Sequence, residues 1–96
     1  MIRNPSWISQ PTGAQLMRAY PTAAITREME GSARLNCLVL PTGSVTDCNV
    51  VSETGNIGFG RAAQSLSRYF RINPRTVNGA AEGSRVDIGI RFTLPD

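Results

Sequence analysis

The most regular alternation of apolar and polar side chains lies near the end of the chain. Val86, Ile88, Ile90, Phe92 and Leu94 alternate with Arg85, Asp87, Gly89, Arg91 and Thr93, and Pro95 follows. A period of two sends successive side chains to opposite faces, so the pattern predicts a strand with one buried and one solvated face. Ala33, Leu35, Cys37 and Val39 repeat it earlier. Pro41-Thr42-Gly43 then reads as a turn, with proline presetting the first angle and glycine accepting the left-handed one. A partner strand is expected from Val45 to about Ser52, with Val45, Cys48 and Val50 as its apolar positions. The step from 45 to 48 breaks the parity, and one extra residue near Thr46-Asp47, a β-bulge, would restore it.

Helical spacing governs two other stretches. Tyr20-Pro21 marks a break, because the residue before proline is pushed out of the helical region while proline is welcome at the first helical position. A helix is expected from Pro21 to about Glu30, with Gly31 just past its end. Phe59, Ala62, Ala63, Leu66, Tyr69 and Phe70 form an apolar stripe, which predicts a second helix over about Phe59 to Phe70. Thr12-Gly13-Ala14-Gln15 has the Thr-x-x-Gln form of a capping box, so a short helix from about Thr12 to Ala19 is also readable. Residues 1 to 11, with Pro5 and Pro11 around Trp7 and Ile8, read as irregular. Pro74 and Asn78-Gly79 signal an end and a turn before the last strand.

The order helix, strand, strand, helix, strand predicts an α+β fold. Its three-stranded antiparallel sheet carries two helices packed on one face, and an irregular N-terminal arm with a short helix precedes it. Residues 1 to 15 are assigned to the arm or the end of a linker, and 16 to 96 to a single domain.

Composition narrows the function classes. Ninety-six residues suit one small domain. No run approaches the roughly 18 apolar residues of a membrane span. The first residues, Met1 to Pro5, lack an apolar targeting core, so an exported protein would carry its targeting segment outside this sequence. The formal net charge is +3, every basic residue is Arg, and there is no His. Absence of His removes Ser-His-Asp and Cys-His catalysis, and two Cys alone cannot complete a structural zinc site. The scattered Arg residues lack the clustered stripe that phosphate tracking requires, so no nucleic-acid partner is expected. No cofactor, metal or catalytic residue is assigned.

The candidate features carry different weights. Gly55 to Gly60 precedes a helix, but its spacing matches no phosphate-binding fingerprint. The glycines are better read as letting Phe59 dip into the core. The carboxylates Asp47, Glu53, Glu82 and Asp87 and the loose ridge of Arg61, Arg68, Arg71 and Arg75 read as solvated surface. With the bulge in place, Cys37 and Cys48 face each other from the core side of one hairpin. They form a cross-strand disulfide in an oxidising compartment or two small buried thiols in a reducing one, and the disulfide is favoured. The final strand is the feature of most functional interest. At a sheet edge its unpaired N–H and C=O groups could accept an extended peptide as an extra strand, with Asp87, Arg91 and Thr93 tuning affinity. Homodimerisation through the same edge is the competing use.

Several elements in one order carry a family pattern. They are Tyr20-Pro21-x-x-Ala24, Glu30-Gly31, Pro41-x-Gly43-x-Val45 and Phe59-x-x-Ala62-Ala63-x-x-Leu66, then Phe70-Arg71-x-x-Pro74, Asn78-Gly79 and Val86-x-Ile88-x-Ile90-x-Phe92-x-Leu94. From roughly Leu16 to Leu94 the chain resembles the TonB C-terminal domain family. The resemblance implies a non-enzymatic periplasmic module, tethered to the inner membrane in the full-length protein and powered there by a proton-driven complex of the ExbB/ExbD type. It implies capture of the TonB box of outer-membrane TonB-dependent transporters by strand addition along Val86, Asp87, Ile88, Gly89, Ile90, Arg91, Phe92 and Thr93, with weaker contacts from Arg18 and Tyr20. Uptake of siderophores, cobalamin or similar nutrients would follow. The pattern departs from the family at Ala33, Cys37 and Cys48, and Leu16-Met17-Arg18-Ala19 replaces the usual Gln-Pro-Gln lead-in. The membrane anchor and Pro-rich spacer are not in this sequence. A TolA-like or other envelope-interaction module of the same fold is the alternative.

Overall fold

Residues 7–73 and 84–95 are described by a computed structural model. Pro74, Arg75, the Asn78-Gly79 turn and Glu82 lie outside them.

The alternating segments form one antiparallel sheet of three strands. The strands are β2 (Gly31–Val39), β3 (Val45–Glu53) and β5 (Arg85–Phe92), in the order β3-β2-β5. Ala33, Leu35, Cys37 and Val39 of β2 and Val86, Ile88, Ile90 and Phe92 of β5 are buried, as their parity requires. The Pro41-Thr42-Gly43 turn closes the β2–β3 hairpin, with Gly43 at φ 90° donating its N–H to the Leu40 carbonyl. Asn36 pairs with Asn49 and Leu38 with Thr46, so β3 carries one extra residue opposite Cys37. Asp47 sits there at φ 50°, which is the bulge expected from the broken parity. A second bulge is new: Arg34 pairs with Ser52 but Leu35 with Val50, which leaves Val51 exposed and unopposed.

Three helices flank the sheet, and the last of them packs on its apolar face against β2 and β3. The first, α1 (Gly13–Ala19), starts at the expected capping box: Gln15 N–H donates to Thr12 Oγ1, and Thr12 N–H donates to Gln15 Oε1. The second, α2 (Thr22–Thr26), is shorter than the expected Pro21–Glu30 span. It stops because Glu28 turns left-handed at φ 54°, Met29 N–H donates to Ala24 O and Glu28 N–H to Ile25 O. That is a Schellman closure with a non-glycine residue in the glycine position, three residues ahead of Gly31. The third, α3 (Phe59–Leu66), runs into a 3₁₀ turn over Ser67–Tyr69. Its Phe59, Ala62, Ala63 and Leu66 are buried, together with Phe70 after the turn. Gly58 caps α3 at φ 109° and lets Phe59 drop directly into the core, in line with the structural reading of the glycine-rich stretch.

The arm departs from its irregular expectation. Trp7–Ser9 forms β1, which pairs antiparallel with β4 (Arg71–Ile72) in a second, two-stranded sheet. Ser9 Oγ reinforces the pair by donating to Tyr69 O at 2.9 Å. The fold is therefore α+β with antiparallel sheets and a short arm helix, as expected, and the small second sheet is the addition.

Candidate functional site

The last strand lies where an added strand could reach it. β5 pairs with β2 on one side, and among the described residues no strand pairs with the other. Alternation along β5 fixes which backbone groups face outward. Val39 N–H donates to Ser84 O, and Thr54 N–H donates to Ser32 O on the β3 side of β2. With the regular register from Gly31↔Phe92 to Leu38↔Arg85, residues 86, 88, 90 and 92 direct their N–H and C=O toward β2. Asp87, Gly89 and Arg91 direct theirs outward.

Both ends of this edge are anchored. Arg85 donates from Nη2 to Asn36 O at 3.0 Å and Asp47 O at 2.7 Å, and from Nη1 to Asp47 Oδ2 at 3.2 Å. Its Nε donates to Asn36 Oδ1, whose amide in turn donates to Asp87 Oδ1 at 2.9 Å. The bulge in β3 brings the Asp47 carbonyl within reach of Arg85. The Cys37–Cys48 disulfide spans that same bulge, with Cα atoms 4.1 Å apart. At the other end, Leu94 N–H donates to Glu30 Oε2 at 2.6 Å. Between these anchors the free edge runs from Asp87 to Arg91.

A groove of about 300 Å³ lies along that edge. Trp7, Gln10, Pro11, Leu16 and Phe70 form one wall, and Asp87 to Arg91 form the other. The Trp7 ring stands edge-on to Phe70, with centroids 5.1 Å apart. On the solvent face, a Cβ added at Gly89 would meet nothing within 4 Å, so the surface beside the edge is open there.

The residues singled out in the sequence fall into five positions. Val86, Ile88, Ile90 and Phe92 hold β5 to the core, while Asp87, Gly89 and Arg91 carry the outward edge. Thr93 lies just past the strand. Arg18 is exposed on α1 and shares a surface hollow with Arg68 and Tyr69, away from the edge. Tyr20 is 5 % exposed, and its ring packs edge-on against Phe59 and Phe92. Its hydroxyl donates to Met29 O. Burial pushes the Tyr20 hydroxyl pKa above its ordinary value, and the Glu30 carboxylate adds to the rise. Sequence reasoning missed Trp7, Gln10 and Pro11, because a three-residue strand has no readable period.

Among the described residues no cluster of three or more His, Cys, Asp or Glu could hold a metal ion, and no helix is long and apolar enough to cross a membrane. The fold is an α+β module in which, among the described residues, β5 keeps one regular edge without a partner strand. The family model for the Gram-negative bacterial TonB protein C-terminal matches residues 17–94. Proteins called Protein TonB from two strains of Xanthomonas campestris pv. campestris are each 33 % identical over 75 residues, covering 78 % of this chain. The chain belongs to the TonB C-terminal domain family, and it spans 34 % of the length of each of these relatives.

Proposed function

We propose that this chain is the periplasmic C-terminal domain of a TonB-type energy transducer, non-enzymatic, which captures the TonB box of outer-membrane transporters by strand addition to β5. The outward N–H and C=O groups of Asp87, Gly89 and Arg91, on a chain of this family, are the observation that carries the reading. Main-chain pairing supplies affinity, and the alternate side chains supply register. An inner-membrane anchor links the domain to a proton-driven ExbB/ExbD-type complex, and force on the added strand opens the transporter to its nutrient. Arg18, exposed on α1 away from the edge, is not part of this strand contact, and buried Tyr20 acts by holding the start of α2 against the sheet.

The test is an NMR titration of the labelled chain with a synthetic TonB-box peptide, read by amide shifts and by hydrogen exchange. The amides of Asp87, Gly89 and Arg91 gain protection on binding. Those of Val86, Ile88 and Ile90 are protected beforehand by β2 and change less. Unchanged amides across β5 at millimolar peptide would sink the reading.

A further inference from the structure

The edge of β5 is not open to solvent on both sides. The N-terminal arm stands across the groove from it, held by the β1–β4 pairing, the Ser9 hydrogen bond to Tyr69 and the contact of Trp7 with Phe70. Trp7, Gln10, Pro11 and Leu16 all precede residue 17, where the family match begins. These four wall residues lie outside the matched stretch, and Phe70 lies inside it.

Strand addition decides what the wall would meet. A residue added opposite Ile88 or Ile90 turns its side chain to the same face as those residues, the helix-covered one. Trp7, Leu16 and Phe70 line the groove there. The intervening ligand residues turn toward the solvent face, where Asp87 and Arg91 stand on either side of Gly89 with opposite charges. Arg91 has no hydrogen bond or ion pair among the described residues. Four residues of strand separate the charges by roughly 13 Å at about 3.3 Å per residue. A ligand with an acidic group over Arg91 is favoured over the reverse order.

Resting on the strand-addition reading, we infer that the arm makes a specificity pocket. Trp7, backed by Leu16 and Phe70, receives a bulky apolar side chain of the added peptide, which is clamped between β5 and the arm. A volume of about 300 Å³ lies at the small end of ligand sites and suits one or two side chains of an extended segment, not a folded partner. Trp7 is a specificity-determining residue in this scheme.

Trp7 is the chain's single tryptophan, so its fluorescence reports the pocket directly. The probes are a TonB-box peptide and a copy whose apolar residues on one face are replaced by Ser. The first shifts Trp7 emission to shorter wavelength and binds at least about tenfold more tightly than the Ser copy. Trp7→Ala removes most of that preference, Trp7→Phe retains it, and Ile8→Ser, on the exposed side of the arm, leaves it intact. Amide shifts in β5 are recorded alongside. Peptide binding that moves the β5 amides, with unchanged Trp7 emission and an undiminished preference in Trp7→Ala, overturns the pocket while leaving strand addition standing. No change in the β5 amides overturns both. Should Trp7→Ala unfold, Trp7→Phe together with wild-type emission decides the matter.

Discussion

Removing the cross-strand disulfide should cost the domain a large part of its stability. The suitable perturbation is the double variant Cys37→Ala/Cys48→Ala. Cys37 is fully buried, and a Ser there would strand a hydroxyl in the core. The bridge closes a loop with a sequence separation of 11. Loop-closure entropy for that length amounts to roughly 9–10 cal/mol/K, or about 3 kcal/mol at 25 °C. Residual hairpin structure in the unfolded chain lowers this, and lost packing around Cys37 raises it, so the two corrections oppose each other. For a domain of this size each kcal/mol moves the melting temperature by about 4–8 °C, giving a fall of roughly 12–24 °C.

Thermal melts followed by circular dichroism measure the effect on three samples: oxidised protein, protein reduced with a dithiol, and the double variant. The last two should agree within a few degrees, because both release the same loop. The urea slope should rise in both, since an uncrosslinked chain exposes more surface on unfolding. The bulge also presents Asp47 to Arg85, so hydrogen exchange should quicken at the Arg85 end of β5 before it quickens near Phe92. A fall below about 4 °C in the reduced protein, equal to less than about 1 kcal/mol, would refute the claim that this loop restraint holds the bulged hairpin.

Two further perturbations test the core. Gly31→Ala places a Cβ 2.7 Å from Phe59 Cε2 and 2.8 Å from Thr54 Cβ, and Phe59 is fully buried with no room to retreat. A loss of about 1–3 kcal/mol in urea unfolding is expected, and unchanged stability would show that the packing there is looser than described. Stability should also fall in alkali. The Tyr20 pKa is raised in the folded state above the ordinary 10.0, so its contribution is complete below pH 10 and is lost as pH rises from there toward the folded value. Tyr20→Phe should flatten that part of the pH profile, and an identical slope in the variant would assign it elsewhere.

What could be read beforehand depended on how far each signal extended along the chain. β5 announced itself because five apolar residues kept one parity without interruption. The Asp47 bulge was readable because Val45 and Cys48 violated that parity. The Val51 bulge was not, since Val50 keeps the parity of Cys48 and Val51 already falls on the outward face without a second bulge. The end of α2 was misplaced because Gly31 is the obvious stop signal, whereas Glu28 takes the left-handed position without any composition cue. β1 and β4 have three and two residues, too few to show a period, and they pair across more than sixty positions of sequence. The groove combines these unreadable pieces with β5, so its far wall stayed hidden while its near wall was plain.

The two outer strands of the main sheet meet the hazard of exposed edges differently. β3 is bulged twice, at Asp47 and Val51, and each bulge breaks the regular spacing of N–H and C=O groups that another strand would need. β5 has no shift in its register with β2 from Gly31↔Phe92 to Leu38↔Arg85. A sheet protected only against aggregation would have both edges spoiled. Here the regular edge is the one beside the groove, held to the sheet at both ends and bordered by the Trp7 arm. The asymmetry between β3 and β5 therefore favours β5 as the receptive edge on physical grounds that do not depend on family membership.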